Sequence, residues 1–106
     1  MYKLITISNN KRLAIIDEDM YTYLNRYHWR AGMYMGSWHV STKTKVNGKN
    51  KILLMSRMIV KRIPKGYWVE NIDNDAFNLR RSNLLIVPPN YKKTLDSYAN
   101  SYKERI

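Results

Sequence analysis

Apolar and polar residues alternate from Lys3 to Ser8, which places Ile5 and Ile7 on one face of a half-buried strand and Leu4 on the other. The polar run Asn9-Asn10-Lys11-Arg12 reads as a turn and Leu13-Ala14-Ile15-Ile16 as a second short strand, so the chain opens with a predicted hairpin. The period then changes. Met20, Leu24 and Tyr27 fall at helical spacing with Tyr23 beside them. Asp17 stands at the N-cap, and Glu18 and Asp19 face the positive end of a helix predicted from Glu18 to about Tyr27. His28-Trp29-Arg30 and Ser37-Trp38-His39-Val40-Ser41 read as strands around a bend from Gly32 to Gly36. Asn47-Gly48 is a hairpin turn signal whose arms carry Lys43, Lys45, Lys49 and Lys51, a basic ribbon. Met55 to Val60 reads as a short helix stopped by Ile63-Pro64-Lys65-Gly66.

Tyr67, Val69 and Ile72 supply a further strand, and Leu84 to Val87 another. The Asp- and Asn-rich run between them has no regular period, and such residues bond their own backbone and favour loops. Beyond Pro88 and Pro89, Tyr91, Leu95, Tyr98 and Tyr102 mark one face of an amphipathic helix, on which Lys92 and Asp96 pair at i, i+4. No repeat, low-complexity segment or linker interrupts the chain. Its 106 residues suit one domain of the α+β class, 1–106, with an N-terminal β/α part over 3–65 and a second part over 66–104.

Charge changes this picture most. Nineteen Lys and Arg against eight Asp and Glu give a net charge of +11, a bias toward a polyanionic partner. A basic surface that meets an acidic protein is the competing reading. The chain has no cysteine, which excludes disulfides and thiolate metal sites. No apolar run approaches a membrane span, and Met1 to Ser8 lacks a signal-peptide core, so a cytoplasmic protein is the expectation.

The segment Val69-Glu70-Asn71-Ile72, followed after the polar loop by Leu79-Arg80-Arg81-Ser82-Asn83-Leu84, resembles the core of phage and intron HNH homing endonucleases. Those proteins carry Val-Asp-His-Ile and Asn-Arg-Arg-Ser-Asn-Leu at the same ungapped spacing. The opening hairpin, the acidic-capped helix followed by Trp29, the Asn-Gly hairpin and Met55-Ser56-Arg57-Met58 extend the resemblance over about residues 3 to 93. It implies antiparallel N-terminal hairpins with a helix, then a ββα-metal module whose last helix is the C-terminal one. It also implies a phage or mobile-element origin.

In the family an Asp binds the metal, the following His is the general base, and a His or Asn of the last helix completes the metal shell. Here Glu70 stands at the ligand position, Asn71 at the base position, Ser56 where that helix has His, and Lys92, or Asn90 after a shift of two, at the helix position. Asn83 matches the loop Asn that shapes the site. An amide cannot take a proton from water at neutral pH, and an ammonium at residue 92 would pair with Glu70 and repel a cation. Glu70, Asn71, Asn83 and Lys92 are therefore read as relict positions, with no catalytic residue, metal or cofactor expected.

His28 and His39 are the only imidazoles, read as a partly buried neighbour of Trp29 and a surface strand residue. Trp29, Trp38 and Trp68 are read as packing residues rather than stacking platforms. The candidate nucleic-acid contacts are Arg80 and Arg81 at the loop, Lys92 and Lys93 at the helix start, Lys43, Lys45 and Lys49 on the ribbon, and the patch Lys61, Arg62 and Lys65. The functional expectation is an HNH-like protein without nuclease activity that binds nucleic acid, double-stranded DNA first, in a regulatory or blocking role. Two alternatives stand beside it: an inhibitor that binds a host nucleic-acid-processing or defence protein, and a weak metal-dependent nickase using Glu70.

Overall fold

A computed structural model describes residues 1–34 and 37–88. Its elements are mostly antiparallel strands joined by short helical turns, an α/β mixture compatible with the α+β class. The predicted C-terminal helix, with Tyr91, Lys92, Lys93, Leu95, Tyr98 and Tyr102, lies outside the described residues, as do Asn90 and part of the bend around Gly36.

The opening hairpin forms from β1 (Tyr2–Thr6) and β2 (Leu13–Asp17), with Leu4 opposite Ile15 and Ile5 opposite Ala14. Alternation operates as expected: Ile5, Ile7, Ala14 and Ile16 are buried, while Leu4 and Leu13 face solvent. The strand β3 (Arg30–Tyr34) pairs with the long strand β4 (Ser37–Val46), and β4 pairs in turn with β5 (Lys49–Leu54). The β4–β5 turn is Asn47-Gly48, both at positive φ (53° and 78°), as a tight primed turn requires. Helix α2 (Met55–Ile59) packs against β4 and β5, burying Met55 and Ile59. Strands β6 (Trp68–Asn71) and β7 (Leu84–Val87) form a third, two-stranded sheet.

The helix expected from Glu18 to Tyr27 is much shorter. A 3-10 turn over Glu18–Met20 leads into one α-turn, α1 (Tyr21–Leu24). The reason lies at the Leu24 carbonyl. Tyr27 N–H bonds it at 3.2 Å and the buried Trp29 indole N–H at 2.7 Å, so the acceptor that would propagate the helix is already taken. Asp17 does not cap this helix through its side chain. Its carboxylate instead accepts the Arg81 backbone N–H at 2.8 Å, a contact across the fold that local spacing could not reveal.

One core gathers Ile5, Ile7, Ile16, Leu24, Trp29, Val40, Met55 and Ile59 together with Phe77 and Leu79 of the polar loop. Trp29 is 1% exposed, but Trp38 and Trp68 are 50% and 43% exposed, so the packing role expected of all three tryptophans belongs to Trp29 alone. His28, expected to be partly buried, is exposed, because alternation turns it away from the core when Trp29 turns in.

Two of the long-range ties on the opening hairpin run to residues 29–31. Ile7 bridges to Trp29, with Ser8 N–H bonding the Trp29 carbonyl at 2.8 Å. The Asn9 side chain then continues this edge: its Oδ1 accepts the Ala31 N–H at 2.7 Å and its Nδ2 donates to the Ala31 carbonyl at 2.8 Å. An amide is the side chain that offers donor and acceptor together in this way. Asn9→Ala removes both partners from a buried residue, and the expected outcome in urea unfolding is a loss of about 1–3 kcal/mol with an unchanged m-value.

Candidate functional site

Register places Glu70, Asn71 and Asn83 at one end of the third sheet. Glu70 lies opposite Leu85 and Asn71 opposite Leu84, with Asn83 immediately before β7. Between the strands, residues 72–83 fold back on themselves. Asp73 Oδ1 accepts the Asp75 N–H at 2.9 Å, and Asp75 Oδ1 accepts the Phe77 N–H at 3.0 Å, two successive turns in which a carboxylate bonds the backbone two residues on. Asn74 between them takes positive φ (67°), a conformation that Asn tolerates.

Three asparagines close this loop. Asn71 Nδ2 donates to the Asn78 carbonyl at 3.0 Å, and Asn83 Nδ2 reaches the same carbonyl at 2.9 Å and Asp73 Oδ1 at 2.8 Å. Asn83 Oδ1 accepts the Asp73 N–H at 3.1 Å, and Asn78 Nδ2 donates to Asp73 Oδ2 at 2.8 Å. Asn83 is buried and uses its donor and acceptor sides at once, so it shapes the loop. Asn71 is a fastener of the loop backbone. Partial burial alone would raise the Asp73 carboxyl, but the amides of Asn78 and Asn83 and the Asp75 N–H hold it below its ordinary value.

Arg80 and Arg81 face acids of the chain itself. Arg81 Nη1 bonds Asp19 at 2.9 Å and lies 3.6 Å from Asp17, while Arg80 Nε stands 3.9 Å from the other Asp17 oxygen. The Arg81 hydrogen bond lowers the Asp19 carboxyl from its ordinary value, and Arg81 is correspondingly raised. Arg12, which sequence reasoning placed only in a turn, stacks over the Phe77 ring at 4.5 Å and pairs with Asp75 at 2.6 Å. It clamps the loop to the first hairpin, and no local signal announces that role.

The remaining candidates spread over the surface. Lys43 and Lys45 lie on one face of the β4–β5 hairpin, and Lys49 and Lys51 on the other: Lys43 pairs with Ile52, Lys45 with Asn50, Thr44 with Lys51 and Val46 with Lys49. Lys61, Arg62 and Lys65 are exposed, with the Lys61 ammonium 5.8 Å from the Tyr23 ring. Arg57 was not among the candidates; it stacks on half-exposed Trp68 at 5.7 Å and donates to the Tyr67 carbonyl at 2.6 Å. Arg26 and Arg30, exposed in the same half of the chain, were also missed. The signal that finds them is the absence of any Asp or Glu between Asp19 and Glu70.

Among the described residues no three His, Asp or Glu side chains converge, and the carboxylates of Asp73 and Asp75 are committed to N–H donors and Arg12. No helix among the described residues is long and apolar enough to cross a membrane. Comparison with protein-family models, with curated proteins and with solved structures finds no match.

Two outcomes test the loop. Asn83→Ala leaves the Asp73 N–H without its acceptor and takes one donor each from the Asp73 carboxylate and the Asn78 carbonyl, which keeps Asn71, so unfolding experiments at pH 7 are expected to show a loss of about 2 kcal/mol. Asp73 has a folded pKa below its unfolded value of 3.8, so its contribution is full above that value and is lost as pH falls through the folded one. Asp73→Asn is therefore expected to be less stable than the parent at pH 7, with the gap narrowing below pH 3.8 in parallel denaturation series.

Proposed function

We propose that this chain is an HNH-like domain without nuclease activity that binds nucleic acid, duplex DNA in particular, in a regulatory or blocking role suited to a phage or mobile element. The observation that carries the reading is Asn71. At the position where the resembling nucleases have their base, its amide donates to the Asn78 carbonyl and helps to hold the loop. A carboxamide offers no proton acceptor near neutral pH, so a water beside Glu70 would lack the group that activates it.

Affinity for a polyanion does not need that group. It comes from neutralising phosphates with Lys and Arg. Most of the acids within residues 1–88 are engaged inside the fold: Asp17 and Asp19 with the arginine pair, Asp73 with amides, Asp75 with Arg12. The lysines of the ribbon and of the 61–65 patch stay exposed. On this reading Arg80 and Arg81 contribute less than the ribbon, since phosphate must compete with Asp17 and Asp19 for them.

A salt-titrated gel shift on duplex DNA, paired with plasmid incubation in Mg²⁺ or Mn²⁺, tests the proposal. The expected outcome is binding that weakens steeply and log-linearly with salt, and plasmid that stays supercoiled. No shift at low salt would point instead to a protein target, such as a nucleic-acid-processing enzyme of a host. Nicking that disappears in Glu70→Ala would restore an enzymatic role.

A further inference from the structure

From Lys45 to Ile52 every residue is exposed, so the end of the β4–β5 hairpin is covered by the body of the protein on neither face. A β-ribbon in that condition is uncommon unless something else receives it, because its pleat has no core side. Strand register gives each face a chemistry. One face presents Lys43 and Lys45 with Asn50 and Ile52, and the other presents Lys49 and Lys51 with Thr44 and Val46. None of the four lysines pairs with an acid among the described residues, and the hairpin itself contains no Asp or Glu. The tip is Asn47-Gly48, the narrowest turn two strands can make.

Lysines on both faces of a thin ribbon suit a slot with negative walls on either side. The major groove of B-form DNA is such a slot, about 12 Å wide and about 8.5 Å deep, with a phosphate strand along each rim. Two residue steps from Lys45 to Asn47 advance about 7 Å at about 3.4 Å per residue, close to that depth. The geometry points to a hairpin that enters the major groove tip first, with Lys43 and Lys45 on the phosphates of one strand and Lys49 and Lys51 on those of the other. Asn47, at the tip, then stands nearest the base edges, where an amide can donate and accept. This rests on the reading that the chain binds nucleic acid and adds where and how. It also selects DNA over duplex RNA, whose major groove is deep and too narrow for side chains to read.

The experiment uses the full chain, the pairs Lys43→Gln/Lys45→Gln and Lys49→Gln/Lys51→Gln, and Lys61→Gln/Lys65→Gln as an equal charge change elsewhere. Binding is measured against salt on a mixed-sequence DNA duplex, on the RNA duplex of the same sequence, and on a DNA duplex with one strand made neutral by methylphosphonates. On natural DNA each hairpin pair is expected to lose about 10- to 30-fold in affinity near physiological salt and to lower the salt slope by about 1.8, while the control pair loses less than about 3-fold. On the half-neutral duplex either hairpin variant is expected to bind as the parent does, because the altered face can turn to the uncharged strand. The RNA duplex is expected to bind at least about 10-fold more weakly than DNA.

Hairpin variants that bind natural DNA like the control would overturn the insertion while leaving nucleic-acid binding intact. Hairpin variants that still lose affinity on the half-neutral duplex would place all four lysines on one strand and overturn the two-rim arrangement. RNA bound as tightly as DNA would also overturn it. Parent protein that binds none of the duplexes at low salt would overturn both this inference and the reading beneath it.

Discussion

Two backbone hydrogen bonds at Ile15 hold the polar loop between β6 and β7 to the rest of the molecule. Its N–H bonds the Phe77 carbonyl and its carbonyl accepts the Leu79 N–H, both at 2.7 Å. Through them strand β2 extends into the polar loop, and the side chains of Phe77 and Leu79 enter the common core. A loop of Asp and Asn has little apolar surface to bury and would otherwise stay solvated. Burying Phe77 and Leu79 offsets the ordering cost, and Arg12, stacked on the Phe77 ring and paired with Asp75, closes the junction from outside. With the loop so placed, the Asn78 carbonyl meets the amides of both Asn71 and Asn83.

Charge is sorted by the same architecture. The acids of residues 1–88 cluster at the end of β2 and in and beside the β6–β7 loop, where most of them hold the loop and the arginine pair. The three-stranded sheet and α2 contribute no acid at all, so their Lys and Arg act on solvent with little internal compensation. The polypeptide thus separates a part in which charges of both signs hold the fold from a part whose charges are all positive. Salt screens the charges that face solvent, while the buried and half-buried bonds of the loop are much less affected.

Much of the strand framework could be read from residue patterns. Alternation located β1 and β2, Asn47-Gly48 located the β4–β5 turn, and the apolar runs at 67–72 and 84–87 located β6 and β7. These are local signals, and tertiary contacts did not override them. What escaped was long-range. Asp17 carries the signature of a helix cap but serves Arg81, and the helix it would have capped ends early because Trp29 and Tyr27 take the Leu24 carbonyl. Phe77 sits in a polar run where no period identifies it as core. Arg80 and Arg81 look like free cations until the fold brings Asp17 and Asp19 to them. The split of the ribbon lysines over two faces follows from register, which composition does not encode.

Thermal unfolding with and without millimolar Mg²⁺ or Mn²⁺ asks most directly whether the Glu70–Asn71 end of the loop is closed by amides or held open for a cation. If the asparagines have taken over the site, the midpoint stays within about 1 °C whether metal or chelator is present, since only a species that binds the folded state shifts it. A midpoint that climbs with Mn²⁺ concentration, and no longer climbs in Glu70→Ala, would contradict the account.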